Sequence, residues 1–236
     1  YWANAPMIPP PRENGGGQVH SLKGLTVVSA RLRKEGAMAS AEMNRMKFFE
    51  RIASLSVGDL LEIQDAYWLA KNAHRPQAPR DTGERVFEHP RSVAWILIER
   101  DYLWKSILVK GFCHDIVEDT NTPTNIIVRI CGYETWKSLV TLSKSVPVFN
   151  PVTGQLMGRY RKPLEVYFAE LKQAVVEDRL VKLADRLHNM STMDAWTKEH
   201  RMAYATETKE WLLPIADATD SWFAERLREM VAKELA

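Results

Sequence analysis

The side chains with the clearest capacity for chemistry lie in residues 112–120, which read FCHDIVEDT. Glu118 follows His114 by four residues and Asp115 by three, while Asp119 follows Asp115 by four. On a helix, these spacings place one imidazole and three carboxylates on one broad face. The carboxylates also crowd the end of the helix, where the partial negative charge of the C-terminus makes each extra anion unfavourable. The pattern therefore favours a compensating cation.

The same residues have a simpler interpretation, which is a solvated acidic helix end with His114 as a hydrogen-bonded core residue. An adjacent His-Asp pair is too short to be specific. The choice between the two interpretations depends on whether other segments supply further groups that could bind a cation.

Asp185 is the candidate from a second segment. Residues 179–190 read RLVKLADRLHNM and contain an apolar stripe at helical spacing, formed by Leu180, Leu183, Ala184, Leu187 and Met190. Asp185 lies beside this stripe, and a carboxylate near a buried face has to be paired, hydrogen-bonded or bound to a metal. A salt bridge to Arg186 or Lys182 is the alternative to a metal site.

His89 is the candidate from a third segment. It directly precedes Pro90, and proline is well suited to the first position of a helix. A histidine at such a loop-to-helix junction can point its ring into a cavity. Taken alone, however, it is more often a satisfied histidine than a ligand.

The elements that must position these groups are helices. From about residue 41, apolar residues recur at helical spacing, without sustained strand-like alternation and without an Asn-Gly or Asp-Gly hairpin signal. The predicted helices are 41–54, 59–74, 90–100, 103–119, 123–131, 133–144, 163–173, 178–193 and 198–232. Pro214 is expected to kink or break the last of them.

Segment 145–162 is predicted to be a long loop, because it contains two prolines and Gly154. Loops of this length are often lids or disordered segments. Basic side chains in and after this segment could contact phosphate or form an ordinary solvated surface; they are Arg159, Arg161, Lys162 and Arg201.

Taken in order, the motifs resemble the hydrolase domain of the RelA/SpoT family, and the similarity runs from about residue 66 to residue 214. The matching residues are Ala73-His74, Arg80, Thr82-Gly83-Glu84, His89-Pro90, His114-Asp115, Glu118-Asp119-Thr120 and the run KLADRLHNM at 182–190. Several ordered motifs across most of a chain are far more specific than a lone His-Asp pair.

The resemblance implies an all-α fold, an HD-domain helical bundle that binds one Mn²⁺ ion. Residues 41–236 would form this phosphohydrolase domain, and residues 1–40 a flexible N-terminal arm or remnant. The implied ligands are His89, His114, Asp115 and Asp185. Two imidazoles and two carboxylates make a mixed nitrogen and oxygen donor set, which suits Mn, Fe or Zn without choosing among them.

The implied reaction is hydrolysis of the 3′-pyrophosphate of (p)ppGpp, an alarmone, to GDP or GTP and pyrophosphate. Glu118 would transfer protons and orient water, and Asp119 would support that role. We expect a stand-alone small alarmone hydrolase whose functional partner is an alarmone-synthetase toxin. Two alternatives remain open: an HD phosphohydrolase for another nucleotide, such as a 2′-phosphatase of NADPH, and a binding protein that senses the alarmone without hydrolysing it.

The residues expected to contact the nucleotide are Arg80, Thr82, Lys144, Asn189, Thr192 and Arg201. Arg80 matches a family residue that packs on the guanine, which suits a planar guanidinium. The sequence departs from the family pattern at Asp81, Ser191 and Trp211, which weakens the assignment of the nucleotide but leaves the metal ligands intact. His74 and His188 resemble family residues that support the fold.

The bulk composition excludes other classes of partner. A net charge of +2 over 236 residues does not indicate a nucleic-acid-binding protein. No apolar run reaches the roughly 20 residues that a membrane helix requires. The two cysteines, Cys113 and Cys131, lie in apolar, helix-like segments and are expected to be reduced thiols. We therefore expect a cytoplasmic protein without a nucleic-acid or membrane partner.

Overall fold

In a computed structural model of the chain, the described residues are 46–80 and 83–236. Residues Phe48–Ala236 form one compact unit. The predicted arm at residues 1–40 lies outside the described residues, as do Asp81 and the predicted nucleotide contact Thr82.

The all-α class is confirmed, because nearly every described element is a helix. The helices are α1 (Val57–Ala73), α2 (Glu88–Glu99), α3 (Lys105–Cys113), α4 (Ile116–Asp119), α5 (Thr124–Cys131), α6 (Tyr133–Leu142), α7 (Leu164–Gln173), α8 (Val176–Ser191), α9 (Lys198–Glu207), α10 (Leu213–Asp217) and α11 (Ser221–Leu235). A 3₁₀ turn spans Met193–Ala195, and a π-helical segment spans Thr208–Leu212. Among the described helices, none has both the length and the apolar character needed to cross a bilayer.

Helix α3 lies at the centre of the bundle and packs against α1, α2 and α8. All of its residues from Ile107 to Cys113 are buried. Gly111 allows a close approach to α2, since a Cβ there would lie 3.3 Å from Leu97 Cδ1 and 3.4 Å from Ala94 Cα. This close packing brings the C-terminal end of α3 beside the first turn of α2.

The prediction of one helix over residues 103–119 is wrong, because the chain breaks between α3 and α4. Nδ1 of His114 contacts the carbonyl oxygen of Gly111 at 2.9 Å, and this oxygen would accept from the Asp115 amide in a continuous α-helix. The break is local, because His114 (φ −57°, ψ −33°) and Asp115 (φ −91°, ψ −6°) keep right-handed backbone conformations.

The prediction of a long loop at 145–162 is also wrong, because this segment contains an antiparallel hairpin. Strand β1 (Ser145–Phe149) pairs with β2 (Leu156–Arg161). Each strand of a two-stranded ribbon keeps a free edge, so Pro147 is tolerated there, and Gly154 adopts a positive φ of 69° in the turn. Most of β2 is exposed, so the sequence lacks the alternation that a buried strand face would produce.

The prediction of one helix over 198–232 needs a similar correction. The regular α-helical bonding is interrupted just before Pro214. There the chain forms the π-helical segment, in which the Leu213 amide bonds to the carbonyl of Thr208. The true break comes later, at Asp220, whose side chain caps α11 by accepting from the Phe223 amide at 3.0 Å. The local sequence around a proline does not decide between a π-turn and a break.

Candidate active site

Four predicted ligands meet at one point between α2, α8 and the break after α3. Nε2 of His89 lies 3.1 Å from Nε2 of His114, 3.1 Å from Oδ1 of Asp185 and 3.3 Å from Oδ2 of Asp115. Nε2 of His114 lies 3.1 Å from Oδ1 of Asp115 and 3.7 Å from Oδ1 of Asp185. The structure therefore brings together side chains from three segments that are distant in sequence.

The protonation of His114 fits a cation site. Its Nδ1 faces the carbonyl oxygen of Gly111 and so carries a proton, which leaves Nε2 as the nitrogen that faces the cluster. Burial disfavours the charged imidazole, but the carboxylates of Asp115 and Asp185 outweigh burial and hold the pKa of His114 well above its usual value. The two carboxylates therefore favour a positive charge beside them, and a divalent ion would supply such a charge. His89, His114 and Asp115 form a group that can hold such an ion.

Asp185 is 3% exposed and is fixed on both of its oxygens. Its Oδ2 pairs with Nζ of Lys182 at 2.8 Å, and its Oδ1 accepts from Nδ2 of Asn189 at 2.6 Å while facing the two imidazoles. Burial raises the pKa of this carboxyl, but Lys182 and the imidazoles lower it well below its usual range. One carboxylate therefore pairs with Lys182 through Oδ2 while its Oδ1 faces the two imidazoles.

His188, which the resemblance placed among the residues that support the fold, contacts the ligand candidate His89, a contact that the sequence did not predict. Its Nδ1 lies 2.8 Å from Nδ1 of His89. Burial, followed by the charges of His89 and Arg80, lowers the pKa of His188 to about 4, so the ring is neutral at pH 7. A neutral ring can accept from Nδ1 of His89 and leave Nε2 of His89 free to act as a ligand.

The acidic pair lies on α4, next to the cluster. Oε2 of Glu118 accepts from the main-chain amide of Lys144 at 3.0 Å. Burial, together with the charges of Asp115 and Glu118, raises the pKa of Asp119 to about 7. A bound cation would oppose this shift, because it favours the ionised carboxylate. Without a bound cation, Asp119 can therefore hold a proton beside the cluster.

Three of the predicted nucleotide contacts lie at the cluster or at the end of α8 beside it. Nη2 of Arg80 donates to Oδ1 of Asn189 at 2.9 Å, and Asn189 in turn donates to Asp185. The hydroxyl of Thr192 bonds to the carbonyl of His188 at 3.1 Å, at the end of α8. Arg80 and Asn189 therefore lie close enough to the cluster to contact a nucleotide that binds there.

The other two described nucleotide contacts are engaged with protein groups. Nζ of Lys144 bonds to both carboxylate oxygens of Glu207, at 2.7 and 2.8 Å. Arg201 donates to Glu234 at 3.0 Å and to the carbonyl of Trp196 at 2.8 Å. A nucleotide would have to compete with these partners, so both assignments remain predictions.

Glu207 joins a partly buried ionic network that the sequence motifs do not reveal. It pairs with Arg186 at 2.5 Å as well as with Lys144, and Arg186 also donates to the hydroxyl of Thr208 at 2.8 Å. The three charged partners come from the start of the hairpin, from α8 and from the end of α9. No short-range spacing signals such a network, because its members are 21 and 63 residues apart.

Comparison with known proteins gives a family match. The HD domain model matches residues 66–222. A Synechocystis protein named probable guanosine-3′,5′-bis(diphosphate) 3′-pyrophosphohydrolase is 33% identical over 173 residues, which cover 72% of this chain and 22% of the relative. The Escherichia coli bifunctional (p)ppGpp synthase/hydrolase SpoT is 32% identical over 158 residues, which cover 65% of this chain and 21% of the relative. The chain thus spans about a fifth of the length of these relatives.

A solved structure shares the fold. It is described as a metazoan ortholog of SpoT that hydrolyzes ppGpp, and it matches with a TM-score of 0.60 and 19% identity. The match covers 77% of this chain and 98% of the other. Because the family match runs from residue 66 to residue 222 and includes all four side chains of the cluster, the chain belongs to the HD domain family.

Proposed function

We propose that this protein is a metal-dependent phosphohydrolase that removes the 3′-pyrophosphate of (p)ppGpp, giving GDP or GTP and pyrophosphate. The observation that carries the proposal is the position of Nε2 of His89, which lies within 3.3 Å of side-chain atoms of His114, Asp115 and Asp185. The names of the two bacterial relatives support the substrate, whereas neither name refers to NADPH.

The four clustered side chains would hold one divalent ion, which we propose to be Mn²⁺. The donor set fits, because two imidazole nitrogens and two carboxylates face one point. When bound, the ion supplies Lewis acidity, which acidifies water and shields the charge of the phosphates. His188 orients His89 and Lys182 fixes Asp185, so the chain holds its ligands before any ion arrives.

Glu118 accepts the proton of the attacking water in this proposal. Its Oε2 is held by the Lys144 amide, which leaves its other oxygen available as a base. Asp119 supports this role as the neighbouring carboxylate on the same helical turn, where burial and the charges of Asp115 and Glu118 raise its pKa when no cation is bound.

Arg80, Asn189 and Thr192 are the proposed nucleotide contacts beside the cluster. The guanidinium plane of Arg80 suits stacking on guanine, although it must leave or share its bond to Asn189 to do so. Thr82, Lys144 and Arg201 complete the proposed set.

The decisive experiment is incubation of the protein with ppGpp and Mn²⁺, followed by chromatographic identification of the products. We expect GDP and pyrophosphate in equal amounts, with no turnover when a chelator is present. Release of monophosphate, or turnover of NADPH in preference to ppGpp, would refute the assignment. Tight binding of ppGpp without any product would indicate a sensor instead of an enzyme.

A further inference from the structure

Helix α4 carries both members of the acidic pair, yet it contains only residues Ile116–Asp119. A single helical turn has little stability of its own, and the carbonyl groups at its end lack partners within the helix. We propose that Arg159 is a positioning residue that holds this turn, and with it Glu118, in the geometry that hydrolysis requires. This inference rests on the proposed function, but the rigidity of the turn can be measured without substrate.

The guanidinium of Arg159 reaches α4 from strand β2. Its Nη2 donates to the carbonyl oxygens of Val117 and Glu118, and its Nη1 donates to the carbonyl oxygen of Thr120 at 3.3 Å. These carbonyls lie where the partial negative charge of a helix end collects, so a cation there is favourable. The planar guanidinium presents several donors at once, which allows one side chain to serve three acceptors.

Gln77, which follows helix α1, supplies the remaining bond to the end of α4. Its Nε2 donates to the carbonyl oxygen of Asp119 at 2.6 Å. Its Oε1 lies 2.7 Å from Nδ1 of His74, a buried ring that fixes the orientation of the amide. Four consecutive carbonyls, those of residues 117–120, are therefore bonded by two side chains from separate segments.

The hairpin holds Glu118 by both its main chain and its side chain. Arg159 bonds to the carbonyl of Glu118, and the amide of Lys144, just before β1, bonds to its Oε2 at 3.0 Å. The amide of Lys162, just after β2, donates to the carbonyl of Lys144 at 2.8 Å and so closes the base of the hairpin. Glu118 is thus attached to one closed structure at two points, and its carboxylate cannot swing freely.

This attachment matters for catalysis, because a base must lie within hydrogen-bond reach of the proton that it removes. A misplacement of about 1 Å can reduce a rate by about 10²-fold. A competing role for Arg159 is phosphate binding. The two roles predict different kinetics: loss of a positioning residue lowers kcat, whereas loss of a phosphate contact raises KM.

The test compares Arg159→Ala and Arg159→Lys with the wild type at saturating Mn²⁺. We expect kcat for ppGpp to fall by about tenfold to a hundredfold in Arg159→Ala, with KM changed by less than about threefold. Arg159→Lys should recover only part of the rate, because an ammonium group keeps the charge but lacks the planar set of donors. Gln77→Leu, which removes the donor to Asp119 and keeps the size, should also lower kcat.

Hydrogen exchange of the amides in residues 116–121, measured without nucleotide, provides the readout that is independent of activity. We expect faster exchange there in Arg159→Ala. The matched control is Arg228→Ala, which removes an exposed arginine paired with Asp217 at 2.6 Å and should change neither exchange nor kcat.

Unchanged exchange in residues 116–121 would overturn the positioning role, and so would a raised KM at constant kcat. If the wild type does not hydrolyse ppGpp, the proposed function fails. The exchange measurement would still show whether Arg159 orders the turn.

Discussion

The rings of His89 and His188 meet through their Nδ1 atoms, which lie 2.8 Å apart. Two nitrogens at this distance share one proton, so one ring donates and the other accepts. Because Nε2 of His89 faces the carboxylates of Asp115 and Asp185, a ligand role for that atom requires the proton on Nδ1 of His89. His188 is then the acceptor, which agrees with its lowered pKa.

This relationship predicts that His188→Phe weakens metal binding while the fold persists. Phenylalanine keeps the size of the ring but cannot accept the proton of His89, so the orientation of that ligand is lost. We expect the dissociation constant of Mn²⁺, measured by calorimetric titration, to rise by about 10–100-fold. His200→Phe is the control, since His200 is exposed and stacks on Trp196. Equal Mn²⁺ affinity in the wild type and His188→Phe would refute a supporting role for His188.

Glu118→Gln should separate metal binding from turnover. The substitution keeps the size of the side chain and its bond to the Lys144 amide, but it removes the base. We expect turnover to fall by about 10²–10⁴-fold with unchanged Mn²⁺ affinity. Glu134→Gln, which alters an exposed carboxylate, serves as the control. Wild-type turnover in a metal-loaded Glu118→Gln protein would show that another group is the base.

Removal of the metal should lower the melting temperature. Binding to the native state alone stabilises it by about 2.7 kcal/mol at a hundredfold excess over the dissociation constant. We expect a chelator to remove this increment in the wild type and to have little further effect in Asp185→Asn. A wild-type melting curve that is insensitive to both chelator and Mn²⁺, in a protein that elemental analysis shows to be free of metal, would mean that the cluster is held by Lys182 and protonated histidine instead.

Glu207→Gln should destabilise the protein in a pH-dependent way. Burial raises the pKa of Glu207, but the charges of Arg186 and Lys144 outweigh burial and lower the pKa below the usual 4.5. A lowered native pKa contributes stability above the unfolded value, and this contribution disappears as the pH falls through the native value. We expect a loss of about 3 kcal/mol at pH 7, because Arg186 keeps a buried charge with a weaker partner.

The measurement is the melting temperature of both proteins between pH 3 and pH 7. The difference between Glu207→Gln and the wild type should begin to shrink below about pH 4.5, the ordinary value for a glutamate, and should disappear only as the pH falls through the lowered native value. Glu229→Gln, which removes an exposed ion pair with Arg226, should change the melting temperature little at any of these pH values. A difference between Glu207→Gln and the wild type that stays constant with pH would mean that packing, not charge, explains the effect.

The sequence alone was sufficient for the helical class, and the resemblance to the RelA/SpoT hydrolase domain selected the four side chains that the structure brings together. Helical periodicity depends on neighbours three and four residues away, so it can be recognised directly in the sequence. The position of Asp185 beside an apolar stripe is a local feature of the same kind, and so is the concentration of acids after His114. Each of these two local features predicts a side chain that needs a partner, but neither identifies the residue or ion that serves as the partner.

Only the tertiary structure decided how these side chains are held. His188 meets His89 across 99 residues of sequence, and Arg159 reaches the carbonyl of Val117 across 42. A side chain's distant partners are not encoded in the spacing of its neighbours. The break after α3 and the hairpin at 145–161 escaped prediction for a different reason, since the bond from His114 to Gly111 leaves no periodic signal and the exposed strand β2 shows no alternation.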